Sequence, residues 1–397
     1  MPLSPIQASP EEAAAQPPRS LRLPLDPLLT LAVVGLSIAS LVNLAAATRN
    51  SLPGQPSYYV DRQAIYLGVG LLFMLVLSRI DYARLRRFKN GIYAALILSI
   101  LAVLGAGHSV QGSVRAISLP LFSFQASELG KVLLTLALSA FVVDRSRHLR
   151  ERDTTVRVMI AALVPAMLVI AQPDLGSGMV YMVIAFMLLF VAGTSWRHIV
   201  ALAALVAVSV TFVLVAAPAA GISVLKPYQT QRLTAFLHPS DNPQTEGWQQ
   251  QESKIAIGAG QKTGRGNEAS QIPDGFVPES STDFIFAALG ERYGFAGAGL
   301  VLLLYGLLIS RALRVLVMSK DLFGSLIAAG VAAMLMFQVF VNVGMTIGIM
   351  PITGVTLPLM SYGGSSVITT LLAVGLLQSI YVQARASAAL KGRVLRH

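Results

Sequence analysis

Ten stretches of this chain stay apolar for about the length that a helix needs to cross a bilayer. They lie at 27–48, 63–80, 91–108, 127–143, 157–171, 177–194, 198–216, 293–310, 322–346 and 364–384. A hydrocarbon core roughly 30 Å thick is crossed by about 20 helical residues. Inside it every backbone N–H and C=O must be satisfied, which leaves only helices and closed barrels. A barrel would show alternating segments of about ten residues, and the chain has no such pattern. Hydrophobic residues make up 54% and charged ones 12%, against roughly 25% charged in a soluble domain. The expected fold class is an all-α integral membrane protein of about ten transmembrane helices, with a large extracytoplasmic loop between helices 7 and 8.

The net charge of +11 does not point to nucleic acid, because the basic residues fall between alternate spans. Arg84, Arg86, Arg87 and Lys89 follow the second span; Arg145, Arg147, Arg150, Arg152 and Arg157 follow the fourth. Arg197, then Arg311, Arg314 and Lys320, then Arg385, Lys391, Arg393 and Arg396 continue the series. The positive-inside rule makes that side cytoplasmic and puts both termini there. Residues 1–26, rich in Pro, Ala and Gln and lacking a cleavage-site pattern, read as a disordered cytoplasmic tail. Residues 385–397 read as a basic cytoplasmic tail, with 27–384 as the membrane domain between. Zero cysteines exclude disulfides and thiolate metal sites.

The chemistry-bearing residues gather on the opposite, outer side. Arg62, followed by Gln63, opens the second span, where an arginine is either a snorkelling anchor or a cation for a ligand. The outer loop after the third span carries Arg115 and runs into Q-A-S-E-L-G-K. Glu128 and Lys131, three residues apart, share a helix face there. Such a pair at the mouth of a span is a functional site or a structural ion pair. Asp174 sits in Q-P-D-L-G-S-G, where turn chemistry competes with a site role.

The loop at 217–282 is too long to be a passive connection. Its W-Q-Q-Q-E-S-K-I-A-I-G-A-G stretch has the spacing of a short amphipathic helix on the outer membrane face. The following G-A-G-Q-K-T-G-R-G resembles a phosphate loop but lacks the glycine immediately before the lysine. What remains is a glycine-rich turn whose N–H groups, with Lys262 or Arg265, meet some other phosphate. Next comes I-P-D-G-F-V-P-E-S-S-T-D-F-I-F. Pro273, Gly275 and Pro278 argue for an irregular lead-in, with a helix starting at the T-D-F-I-F step. On that helix Asp283 would share a face with Ala287, Gly290 and Gly294, small residues that admit a close neighbour. Asp283 either caps the helix or performs chemistry. Pro351 and Pro358 break the run N-V-G-M-T-I-G-I-M-P-I-T-G-V-T-L-P-L-M-S-Y-G-G-S-S. Irregular backbone at membrane depth survives where it is buried in protein or lines a cavity, so this run is expected to wall an outer site.

Taken together these stretches resemble the SEDS proteins (shape, elongation, division and sporulation), the RodA/FtsW group of peptidoglycan glycosyltransferases. The resemblance covers nearly the whole chain after the tail, with the motifs in family order: Arg62-Gln63, the 112–131 loop, Q-P-D-L-G-S, Y-Q-T-Q-R-L, S-K-I-A-I-G-A-G, P-E-S-S-T-D-F-I-F and P-I-T-G-V-T-L-P-L-M-S-Y-G-G-S-S. The N-V-G-M-T-I-G-I-M-P-I-T-G run leans toward the RodA branch. Two positions depart from the family: Ala116 stands where tryptophan is expected, and Ser281 where histidine is common.

The resemblance implies polymerisation of lipid II in the bacterial cytoplasmic (inner) membrane. The donor would be a glycan carried on undecaprenyl pyrophosphate and the acceptor the GlcNAc 4-hydroxyl of lipid II. Asp283 matches the essential aspartate and would act as general base. Arg62, Arg115 and Lys131 would stabilise the departing pyrophosphate, with Glu128 positioning Lys131 and Asp174 adding polarity. A class B penicillin-binding protein is the implied partner. A divalent cation could assist the pyrophosphate, although the five histidines are scattered and no ligand set stands out. Two other readings stay open here. One is a flippase or transporter of lipid-linked precursors, against which count the outer clustering of the charges and the lack of an internal repeat. The other is a scaffold that only supports another enzyme.

Overall fold

The computed structural model describes residues 25–49, 55, 57–106, 108–110, 113–118, 123–212, 236, 246–269 and 279–394. The apolar runs are helices: α1 Pro27–Ala47, α2 Tyr58–Arg79, α3 Lys89–Ala106, α4 Ala126–Asp144, α5 Arg152–Ala171, α6 Leu175–Val191 and α7 Trp196–Thr211. They continue with α8 Glu246–Ala259, α9 Ile285–Met318, α10 Leu322–Thr346 and α11 Gly364–Val394. Among the described residues, eight are long and apolar enough to cross a membrane, and α6 and α7 are shorter apolar helices. All ten expected runs therefore have a helix, in a multi-pass membrane protein. Pro273, Gly275, Pro278 and most of the 217–282 loop lie outside the described residues.

The membrane domain begins one residue earlier than the sequence implied. Asp26 is fully buried and caps α1, its carboxylate accepting the N–H groups of Leu28 and Leu29 at 3.0 and 3.2 Å, with Pro27 in the first turn. The other carboxylate oxygen takes Arg311 Nε of α9 at 2.9 Å, and the Asp26 N–H donates to Gln378 of α11 at 2.8 Å. One acidic residue thus ties three helices at their charged end. At the other end of the chain, α11 runs on to Val394, through most of the stretch read as a basic tail.

Helices α4, α10 and α11 form the buried centre, and α2 and α3 face outward. Lipid is as apolar as leucine, so helices associate in it through close packing at small residues. A methyl group at Gly330 of α10 would come 2.6 Å from Thr135 of α4, and one at Gly70 of α2 would collide with Leu371 of α11. In α5, Pro165 has no N–H to give the Ala161 carbonyl four residues back. Tyr93 of α3 supplies the missing donor, its hydroxyl 3.0 Å from Ala161 O.

The loop after α3 holds a small antiparallel meander not anticipated from the sequence: β1 His108–Val110, β2 Ser113–Ser118 and β3 Ser123–Phe124. Its register pairs His108 with Ala116 and Ile117 with Phe124. The alternation in S-V-R-A-I-S was the available signal.

The phosphate-loop look-alike proves to be a clasp. Helix α9 breaks at Gly294, which sits at φ 63°, ψ −160°. The residues beyond the break turn to the chain after α8: Phe295 N–H donates to Gln261 O at 2.9 Å and Ala296 N–H to Lys262 O at 3.0 Å. In return Arg265 N–H donates to Glu291 O at 2.9 Å, while Gly264 N–H closes the turn on Gly260 O at 2.7 Å. The N–H groups of Gly264 and Arg265 are therefore spent on carbonyls, not offered to a phosphate. Only glycine permits the approach, since side chains at Gly260 and Gly264 would run into the carbonyls of Gly290 and Arg292. The shared face expected for Asp283, Ala287, Gly290 and Gly294 is likewise corrected, because Asp283 precedes the helix and Gly294 interrupts it. Gly290 does admit a neighbour, Ile257 of α8, 3.0 Å from where its methyl would lie.

Gly294→Ala is expected to open the clasp, at a cost of at least about 1–3 kcal/mol for the strained backbone alone. Limited proteolysis within 246–269 should speed up, whereas Gly299→Ala, facing open space, should leave the digest unchanged.

Candidate active site

Residues 347–363 form neither helix nor strand, and side chains from surrounding helices hold their backbone. Ser40 of α1 donates to Met360 O at 3.1 Å, Gln63 of α2 to Ser361 O at 3.2 Å and Tyr305 of α9 to Pro358 O at 2.5 Å. Asn342 of α10 donates to Val355 O and Gln250 of α8 to Met350 O, both at 2.8 Å. The reason is that prolines and turns here leave carbonyls that no helix satisfies, at a depth where water does not. Leu359 is held in the left-handed region, φ 66°. For a branched side chain that conformation persists only where neighbours over-determine it.

Asp283 lies in the turn 279–284 just ahead of α9, whose N-cap position is Phe284. The irregular segment and α10 fix this turn through its backbone. Tyr362 N–H donates to Ser281 O at 2.8 Å, Ser361 Oγ to Thr282 O at 2.6 Å and Asn342 Nδ2 to Asp283 O at 2.9 Å. Glu279, itself at φ 55°, closes the turn by accepting Thr282 Oγ1 on its carboxylate at 2.8 Å. From α1, Asn43 Nδ2 reaches Ile285 O at 3.0 Å. The Oδ1 atoms of Asn43 and Asn342 are buried without a partner among the described residues. They are acceptors for a water or a ligand hydroxyl. The half-buried Asp283 side chain thus stands on a turn whose backbone is held by the irregular segment and α10.

Arg62 stands on α2 beside Gln63, its guanidinium 4.6 Å from the centre of the Tyr58 ring. Tyr59 and Tyr66 pack on Tyr362 at 5.0 and 6.2 Å. Glu128 and Lys131 form the expected pair, 2.6 Å apart with side chains 6% and 1% exposed. Gly130 between them leaves room for the Tyr181 hydroxyl of α6, which donates to Ser127 O at 3.1 Å.

Asp174 does the turn chemistry and also reaches across to the start of α4. It caps α6 by accepting Ser177 N–H at 3.0 Å, and it takes Ser127 Oγ at 2.7 Å and Gln125 Nε2 at 3.2 Å from the start of α4. Two residues on, a methyl at Gly176 would lie 2.9 Å from Thr353 O of the irregular segment. Ser365 adds a second tie, accepting Gln125 N–H at 2.9 Å and donating to Ser123 O at 2.7 Å. Asp174 and Asp283 therefore border one segment, Arg62 adjoins Gln63, which bonds to it, and the Glu128–Lys131 pair follows Ser127, which donates to Asp174. Arg115 falls on β2, with its side chain outside the described residues.

A family model described as "Cell cycle protein", spanning FtsW, RodA and SpoVE, matches residues 25–386. The chain belongs to this SEDS family. It is 38% identical to the probable peptidoglycan glycosyltransferase FtsW of Thioalkalivibrio sulfidiphilus, across 98% of this chain and 97% of that protein. To the peptidoglycan glycosyltransferase MrdB of Escherichia coli K12 it is 33% identical, across 90% of this chain and 93% of that one. FtsW-named and MrdB-named proteins thus both stand among its relatives. Among solved structures it resembles a chain from work on the coordination of polymerization and crosslinking by a peptidoglycan synthase complex. That match has a TM-score of 0.77 and 32% identity over 91% of this chain and 99% of the other. The rod-shape-determining protein RodA of Thermus thermophilus matches with a TM-score of 0.64 and 29% identity over 91% of this chain and 97% of the other.

In this SEDS protein the residues that sequence reasoning passed over are uncharged: Asn43, Gln125, Ser127, Asn342 and Ser361. Asn43 and Asn342 had a signal, an amide inside an apolar span that must find partners there. Asn342→Leu is expected to strip a donor from both Asp283 O and Val355 O, at about 1–3 kcal/mol per carbonyl left unsatisfied. A lower thermal midpoint together with impaired activity would show that the amide holds the turn.

Proposed function

We propose that this SEDS protein is a peptidoglycan glycosyltransferase that polymerises lipid II at the outer face of the bacterial cytoplasmic membrane, with both termini in the cytoplasm. The observation that carries this reading is the convergence on residues 347–363. Five ionisable positions spread from Arg62 to Asp283 border this segment or lie beside residues that do, in a chain whose relatives are named for the reaction.

Asp283 takes the proton from the GlcNAc 4-hydroxyl of lipid II as that oxygen attacks the anomeric carbon of the donor glycan. The new C–O bond forms as the bond to undecaprenyl pyrophosphate breaks, and the bonding pair leaves with the pyrophosphate. A leaving group of that stability needs charge neutralisation more than a protonating acid. Arg62, half-buried at the mouth of α2, and Arg115 supply the net positive charge. The Glu128–Lys131 pair is neutral as a unit and so orients donors, with Asp174 holding the start of α4 beside it. Among the described residues no three His, Asp or Glu side chains come together to hold a metal ion, and no step here runs through one. A class B penicillin-binding protein is the proposed partner, supported by the likeness to a synthase-complex chain. The N-V-G-M-T-I-G-I-M-P-I-T-G run supports the elongation branch.

The test is glycan-strand formation from labelled lipid II by the purified protein, with and without its cognate penicillin-binding protein. A ladder of strands is expected. Lipid movement across liposomes with no polymer under either condition would replace this reading with a flippase.

A further inference from the structure

The Glu128–Lys131 pair opens α4, and at the opposite end of this helix α3, α4 and α5 stand apart around a cavity of about 560 Å³. Tyr93, Ala94, Ala137, Ile160 and Val164 line its depth, and Lys89 and Arg157 its mouth. Two features keep it open. The alanines leave volume that larger side chains would fill, and the Tyr93 hydroxyl is engaged by the carbonyl that Pro165 frees in α5. The groove opens toward lipid, with Ile160 and Val164 54% and 46% exposed.

Its mouth carries surplus positive charge. Arg86, at 2.7 Å, and Lys89 share the single carboxylate of Asp144. Arg145 and Arg157 share Asp153, at 3.1 and 2.9 Å. Four cations face two carboxylates, leaving two positive charges beside an apolar slot. Basic pockets between membrane helices at the cytoplasmic surface suit phosphate head groups, and an apolar wall beside one suits an acyl chain.

We propose that this groove binds an anionic phospholipid, with its phosphate between Lys89 and Arg157 and one acyl chain laid along Ala94 and Val164. No residue of the candidate active site takes part, so the inference stands apart from the proposed reaction.

Two experiments test it on the purified full-length protein. Native mass spectrometry with dioleoyl phosphatidylglycerol or dioleoyl phosphatidylcholine should show preferential retention of the anionic lipid. Lys89→Gln with Arg157→Gln should weaken that retention about tenfold while leaving Asp144 and Asp153 each with an arginine. Ala94 is exposed, so Ala94→Phe fills the groove without entering the core and should reduce binding with the charges intact. Separately, a photo-reactive side chain at position 94 should label phosphatidylglycerol in reconstituted vesicles. Equal retention of both lipids by the wild type, unchanged retention in both variants, or labelling of a polypeptide in place of lipid would each overturn the proposal.

Discussion

Asp283→Asn is expected to abolish glycan-strand formation in a protein that stays folded. The two halves of that expectation have different causes. The bonds that the irregular segment and α10 make to the 279–284 turn end on its backbone, at Ser281 O, Thr282 O and Asp283 O, and asparagine leaves these in place with a side chain of nearly the same shape. What it removes is the ability to accept a proton, a contribution of about 10²–10⁴ in rate for a positioned general base. Strand formation from labelled lipid II should therefore fall by that factor while the thermal midpoint and co-purification with the penicillin-binding protein hold. Polymer at the wild-type rate from the variant would remove Asp283 as the base. Loss of partner binding along with activity would instead favour a scaffolding role for this turn.

The second large effect is expected from Lys131→Met. It leaves the Glu128 carboxylate buried, at 6% side-chain exposure, with its cation gone. Breaking one side of a buried pair costs about 3–5 kcal/mol, because the remaining charge is uncompensated. A steep fall in thermal midpoint should follow. Adding Glu128→Gln removes the stranded charge and should restore much of the stability, since neutral replacements of buried pairs are often well tolerated. The double variant separates the two meanings that the sequence left open. A stable protein without polymerase activity marks the pair as part of the site; recovery of both marks it as an internal strut.

What the sequence made legible followed from constraints with one solution. Apolar runs about twenty residues long have to be helices in a bilayer, and the described residues carry a helix for each of them. The same reasoning expected broken backbone around Pro351 and Pro358, and residues 347–363 form neither helix nor strand. Spacing alone paired Glu128 with Lys131. The errors came where local patterns have several solutions. T-D-F-I-F fits a helix start at Thr282 or three residues later, and the difference takes Asp283 off the helix face assigned to it. The glycines of G-A-G-Q-K-T-G-R-G could serve a ligand or another backbone, and only the break at Gly294, about 30 positions on in the sequence, decides for the clasp. Asp26 looked like the end of a polar tail because its partners, Arg311 and Gln378, lie some 300 residues away. Asn342 was one amide in an apolar run, and its importance comes from two carbonyls that no local pattern reveals.

The order in which the chain leaves the ribosome gives the irregular segment another meaning. Arg62, the Glu128–Lys131 pair, Asp174 and Asp283 are all synthesised before residue 347, and the irregular stretch follows them, with α11 behind it. A chain interrupted before residue 347 therefore carries all five of these side chains without the segment whose Ser361 and Tyr362 hold the 279–284 turn. The 279–284 turn gains its bonds from Ser361 and Tyr362 only once that late segment is made.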